Sequence, residues 1–137
     1  MENPIIEVRD FSKTYGDFVA VDGISFEVDK GEIFGLLGPN GAGKTSTLES
    51  LEGLRSPDSG SLRVAGIDPT REPRKLRNVI GVQLQASGLP ESITVNEAMK
   101  FFCAYHGVDS RYDLLDRLGL AEKRNAQYHQ LSTGQQR

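Results

Sequence analysis

The sequence has 137 residues, 37% of them hydrophobic and 26% charged, with a formal net charge of −3 and one cysteine, Cys103. That length and composition suit one globular unit and argue against disorder or fibre, while the acidic balance speaks against a general nucleic-acid binder and the lone cysteine excludes an internal disulfide framework. No run approaches the ~18 apolar residues of a membrane-spanning helix, and the opening MENPIIEVRDF lacks the pattern of a secretory signal, so the chain is expected to be soluble and cytoplasmic, reaching a membrane only through a partner.

The first thirty residues predict β-structure. Ile6 and Val8 alternate, and Ile24, Phe26 and Val28 alternate with Ser25, Glu27 and Asp29, the period of half-buried strands. Asp22-Gly23 and Lys30-Gly31 supply turns. Ile33-Phe34-Gly35-Leu36-Leu37 has no polar alternation and predicts a strand buried on both faces. After a glycine-rich loop, Lys44 to Leu51 predicts a helix ending near Gly53, with Leu48 and Leu51 on one face. Pro57 and Gly60 mark a loop, and Ser61 to Val64 predicts a strand. Between Arg71 and Arg77 stand four positive charges and one negative; a solvated helix start or loop is favoured there over a nucleic-acid patch. Val79 to Leu84 predicts another strand. Thr94-Val95-Asn96-Glu97 has the spacing of a capping box, opening a helix to about His106 that stops at Gly107. Ser110 is expected to cap a second helix through Leu114, Leu115 and Leu118 to Gly119. This order predicts an α/β fold: a parallel-sheet nucleotide core, a small β layer and a helical insert.

Gly38-Pro39-Asn40-Gly41-Ala42-Gly43-Lys44-Thr45 fits G-x-x-x-x-G-K-[ST] in full, between a predicted strand and a predicted helix. Glycines let the backbone approach a bulky anion, and successive N–H groups then form a nest for phosphate oxygens. The following helix adds the positive end of its macrodipole. Lys44 would bridge the β- and γ-phosphates of ATP, and the Thr45 hydroxyl would ligate Mg²⁺. The predicted cradle runs from Gly38 through Ser46.

Leu131-Ser132-Thr133-Gly134-Gln135 resembles the L-S-G-G-Q signature of ABC ATPases, with Thr133 where the pattern has glycine. It stands at the spacing from the phosphate loop that the family shows. The resemblance covers essentially the whole chain. Gly35-Leu36-Leu37-Gly38, Leu51-Glu52-Gly53-Leu54 and Ile80-Gly81-Val82-Gln83-Leu84-Gln85 look most like the bacterial drug-export branch, whose members resemble daunorubicin-resistance ATPases. The fold implied is a P-loop NTPase core with a RecA-like parallel sheet, an N-terminal antiparallel β layer and a helical insert, cut off after the signature. Residues 1–30 and 60–67 would form the β layer, 31–59 and 78–85 the nucleotide core, and 86–137 the helical subdomain.

The resemblance also implies roles. Tyr15 stands where the family places an aromatic that stacks on adenine. Gln85 matches the family's Q-loop glutamine, catalytic beside Lys44 and able to contact Mg²⁺ or the attacking water; Gln83 shares its periodicity, but the family pattern favours Gln85. Ser132, Gly134 and Gln135 would face the γ-phosphate of a nucleotide held by a second ABC ATPase domain in a head-to-tail dimer. Permease subunits would carry the substrate across the membrane, placing the chain on its cytoplasmic face. The substrate implied is an exported compound such as a drug, and no nucleic acid is expected as a partner.

In the family, an apolar strand ending Asp-Glu and a switch histidine follow the signature. Val108-Asp109 and Leu114-Leu115-Asp116 are too short to replace that strand, and His106 and His129 precede the signature. These 137 residues are therefore expected not to hydrolyse ATP usefully by themselves. The alternative is a hydrolysis-incompetent nucleotide-binding fragment or regulatory relic. A GTPase is disfavoured because no N-K-x-D motif occurs.

Overall fold

β1 (Ile6–Tyr15) and β2 (Phe18–Val28) form an antiparallel hairpin, with Tyr15 opposite Phe18 beside the turn and Ile6 opposite Val28 at the far end. This is a computed structural model that describes residues 4–83 and 88–136. The chain divides into two compact units, Met1–Val82 and Gln83–Arg137.

In the first unit, β3 (Ser59–Val64) pairs antiparallel with the other edge of β1, giving the order β2-β1-β3. Val8 lies between Phe26 and Leu62 on its two neighbours. Val8 and Phe11 are both fully buried, although three residues apart they would point to opposite faces of a regular strand. A register shift between them, with Asp10 at φ 46, turns Phe11 back into the core. That core holds Val8, Phe11, Val21, Leu51, Leu62, Val64 and Leu76.

α1 (Lys44–Leu51) covers the predicted range and buries Thr47, Ser50 and Leu51. Leu48, expected beside Leu51, is 49% exposed. The buried stripe is set by the i, i+3 and i+4 neighbours of Thr47, which leaves Leu48 about 100° off it. The basic stretch forms α2 (Pro73–Arg77), a solvated turn that starts on proline and buries only Leu76.

Two expected strands differ. Residues 33–37 and the described part of 79–84 carry no strand pairing, and Ile33 and Leu37 are exposed. A strand buried on both faces needs a hydrogen-bonding neighbour, and no described residue pairs with either segment. The strands among the described residues are all antiparallel. Phe34 finds a partner by side chain alone, stacking on Phe26 with centroids 5.0 Å apart.

The second unit is helical: α3 (Val95–Tyr105), α4 (Tyr112–Arg117) and α5 (Thr133–Gln136), with 3₁₀ turns at Ala121–Lys123 and Tyr128–Gln130. The capping box forms in both directions: the Glu97 N–H donates to Thr94 Oγ1 at 3.2 Å, and the Thr94 N–H donates to the Glu97 carboxylate at 2.9 Å. α4 departs from expectation, since its N-cap is Arg111 and no side chain caps it. Arg111 instead holds Asp113 through two bonds of 2.8 and 2.7 Å, which places a carboxylate at the positive end of the helix. Val95, Leu115, Leu120 and Leu131 form the core, whereas Leu118 is exposed. Among the described residues no helix is long and apolar enough to cross a membrane.

Candidate functional site: the phosphate loop and its aromatic neighbour

The predicted loop ends at Gly43, the N-cap of α1, in a left-handed conformation with φ 77 and ψ 4. Here the backbone touches β2: an added Cβ would lie 2.3 Å from the Ala20 carbonyl oxygen and 2.6 Å from Val21 Cγ2. Only glycine meets both the conformation and the space. The loop is pinned to the sheet at that point, and α1 starts directly from the pin.

No side chain caps α1, and no acidic residue stands in its first turn. Its first N–H groups are left for an anion from outside. Lys44 folds back over the loop, donating to the carbonyl oxygens of Gly38 at 2.7 Å and Pro39 at 2.6 Å. Its ammonium therefore stands above the loop's own entry. Thr45 is exposed at the same helix start, while Thr47 turns inward and donates to the Gly43 carbonyl at 2.9 Å.

Tyr15 comes to this site from the end of β1. Its hydroxyl donates to Ser46 Oγ at 3.3 Å, and the residue is 39% exposed. Two cations flank the ring, with Arg55 Cζ 5.4 Å and Lys13 Nζ 5.6 Å from its centroid. Arg55 pairs with Glu49 on α1. Lys13 donates to Asp58 at 2.8 Å, and Asp58 also accepts from the Thr14 backbone N–H and hydroxyl, both at 2.7 Å. The Lys13 bond, followed by those from Thr14, lowers the Asp58 carboxyl to about 2. Tyr15, Ser46 and the loop Gly38–Thr45 are thus brought together within one unit.

The signature lies in the other unit. Leu131 is buried, while Ser132, Thr133 and Gly134 are exposed. The Gln135 amide oxygen accepts from the Ser132 N–H at 3.2 Å and from Lys123 Nζ at 3.1 Å, so this side chain folds back over its own helix start. Space around Gly134 is open, since an added Cβ would meet nothing within 4 Å. Gln85 lies outside the described residues.

Sequence reasoning missed Arg55 and Asp58. Neither belongs to a motif, and the only local signal was the turn Pro57-Asp58-Ser59-Gly60. It also passed over Phe18-Val19-Ala20-Val21-Asp22, four apolar residues before an aspartate. That run lies in antiparallel β2, exposes Phe18 and Val19, and continues into Gly23 rather than a glutamate.

A glycine-pinned loop opens an uncapped helix beside an exposed tyrosine, an arrangement whose free N–H groups suit an anion. The sequence matches the ABC transporter family over residues 21–137, and the chain belongs to that family. It is 40% identical over 143 residues to Nod factor export ATP-binding protein I of Paraburkholderia xenovorans (strain LB400), covering 100% of this chain and 47% of that protein. It is 41% identical over 107 residues to the probable multidrug ABC transporter ATP-binding protein YbhF of Escherichia coli (strain K12), covering 78% of this chain and 18% of that one. The structure of cbiO1 from Clostridium perfringens, part of the ABC transporter complex cbiONQ, superposes with a TM-score of 0.79 at 27% identity, over 98% of this chain and 58% of cbiO1. The fold is that of a P-loop ABC ATP-binding domain, and the chain spans about half the length of the Nod factor export protein it matches.

Proposed function

We propose that the chain is the nucleotide-holding part of an ABC exporter subunit, which couples ATP binding and hydrolysis to export through separate membrane permeases. The observation that carries this is the phosphate loop: Gly43 pinned against Ala20 and Val21, an uncapped α1, and Lys44 poised over the loop. On this reading Gly38, Pro39, Asn40, Gly41, Ala42, Gly43, Lys44, Thr45 and Ser46 enclose the phosphates of ATP. Lys44 turns from the Gly38 and Pro39 carbonyls to the β- and γ-phosphates. The Thr45 hydroxyl is a hard, exposed oxygen donor at the helix start, suited to Mg²⁺ that keeps waters and phosphate oxygens as its other ligands. Mg²⁺, when bound, neutralises charge on the β- and γ-phosphates. Tyr15 presents its ring to adenine, and Gln85 orients the attacking water.

Ser132, Gly134 and Gln135 serve a nucleotide on a second ABC ATPase domain. The Gln135 amide oxygen holds Ser132 and Lys123, so its amide N–H group is the part that would donate to a phosphate oxygen. A permease pairing, and a position on the cytoplasmic face, are supported by likeness to cbiO1, described as part of a transporter complex, and to exporter ATP-binding proteins. The 137 residues by themselves are expected to bind without turnover, because the family's Asp-Glu strand and switch histidine follow the signature. Sustained Mg-dependent phosphate release from these residues alone would overturn that point.

The test of the central reading is Lys44→Ala. Among the described residues Lys44 bonds only loop carbonyls, so the variant should keep its far-UV dichroism. Mg-ATP affinity should fall roughly 10- to 100-fold, the range for a lost charge-assisted contact of about 1.5–3 kcal/mol. Unchanged affinity in a folded variant refutes the assignment.

A further inference from the structure

Tyr15 ends a strand beside a turn, and its hydroxyl bond to Ser46 is long at 3.3 Å. A ring held so lightly is a poor stacking platform, because ordering it on binding costs affinity. Arg55 supplies the second restraint. Its guanidinium lies 5.4 Å from the ring centroid. Its backbone N–H donates to the Glu49 carbonyl at 3.2 Å, and its Nε donates to the Glu49 carboxylate. Arg55 is therefore moored at both ends to one residue of α1.

We propose that Arg55 is a positioning residue for the nucleotide base: moored to Glu49, it fixes the Tyr15 ring relative to α1, whose N-terminus receives the phosphates. This rests on the reading of Tyr15 as the base-stacking residue. The geometry favours it in two ways. Ser46 and Glu49 are i, i+3 neighbours and lie on one face of α1, so both restraints on Tyr15 arise from the same helix. The base platform and the phosphate cradle then share a rigid element, although Tyr15 sits on a separate strand. The chemistry also suits arginine, whose planar, weakly hydrated cation lies on an aromatic face better than an ammonium does. Lys13, the other cation at the ring, is bonded to Asp58 and so does not tie the ring to α1.

The experiment compares Mg-ATP with Mg-tripolyphosphate, which carries the phosphates without a base, by calorimetric titration of the full-length protein. Arg55→Met, Arg55→Gln, Arg55→Lys and Tyr15→Ala are the variants, each checked for fold by dichroism. Both uncharged Arg55 variants should weaken ATP about two- to five-fold, the scale of an exposed cation–π contact, and leave tripolyphosphate unchanged. Arg55→Lys should recover part of the loss. Tyr15→Ala should weaken ATP by about ten-fold or more, again without touching tripolyphosphate. Equal losses for both ligands would make Arg55 a plain phosphate-side charge and overturn the proposal. Loss in Tyr15→Ala with none in the Arg55 variants would also overturn it, leaving the base-stacking reading intact. No loss in Tyr15→Ala would remove that reading and the proposal together.

Discussion

Gly43→Ala and Gly41→Ala separate two costs that are usually measured together. Both glycines are left-handed, at φ 77 and φ 85. An L-residue in that region costs roughly 1–2 kcal/mol. At Gly41 that is the whole cost, since an added Cβ meets nothing within 4 Å. At Gly43 the Cβ would stand 2.3 Å from the Ala20 oxygen and 2.6 Å from Val21 Cγ2, far inside the ~3.5 Å at which such atoms rest. The nearer obstacle is backbone in β2, which has no rotamer to offer. Overpacking of this kind adds roughly 1–3 kcal/mol. We expect Gly41→Ala to cost about 1 kcal/mol and Gly43→Ala about 3 kcal/mol or more, read from urea midpoints at unchanged m-value. Gly43→Ala should also push the start of α1 off the sheet and lose Mg-ATP affinity out of proportion to its stability loss. Equal destabilisation by the two variants would refute the claim that contact with β2, rather than left-handedness alone, demands glycine at 43.

Two further outcomes follow from side chains in the same unit. Asp58 is lowered from 3.8 to about 2 by Lys13 and then Thr14, so its stabilising bonds are fully present above about pH 3.8 and are lost as pH falls toward 2. Asp58→Asn should flatten that limb of the stability–pH curve, measured by urea midpoints across the acid range, and an unchanged limb would show that other carboxylates produce it. Ser50 is fully buried and its hydroxyl has no hydrogen-bond partner among the described residues. Ser50→Ala should therefore raise stability by about 1 kcal/mol in the same assay, and a loss would mean that the hydroxyl is satisfied by water.

What was legible in the sequence is what short-range physics decides. Alternation at Ile24, Phe26 and Val28 announces β2 because side chains of one strand share a face at every second residue. Thr94 and Glu97 announce α3 because a capping box closes within one turn. Other features need a partner from elsewhere. Phe11, three residues from Val8, faces inward only because the shift at Asp10 turns it there. Residues 33–37 are as apolar as a buried strand, but pairing is a property of two segments, and no described segment pairs with them.

The site divides along the same line. The phosphate loop could be read residue by residue because its demands are local: glycine where the backbone turns left, lysine one residue later, and a helix start immediately behind. The base side could not. Tyr15 had a role only through a family pattern, and the groups that hold it come from far along the chain. Ser46 and Arg55 reach it from α1 and the loop beyond, while Asp58 steadies the neighbouring Lys13 and Thr14. None of these contacts leaves a periodicity or a motif. They become visible only when α1 is packed on the sheet, where Gly43 meets Ala20 and Val21 of β2 beside the Tyr15 turn. The same close approach that seats the phosphates therefore sets the distance between Tyr15 and Ser46. A change at Gly43 should be felt at the base as well as at the phosphates.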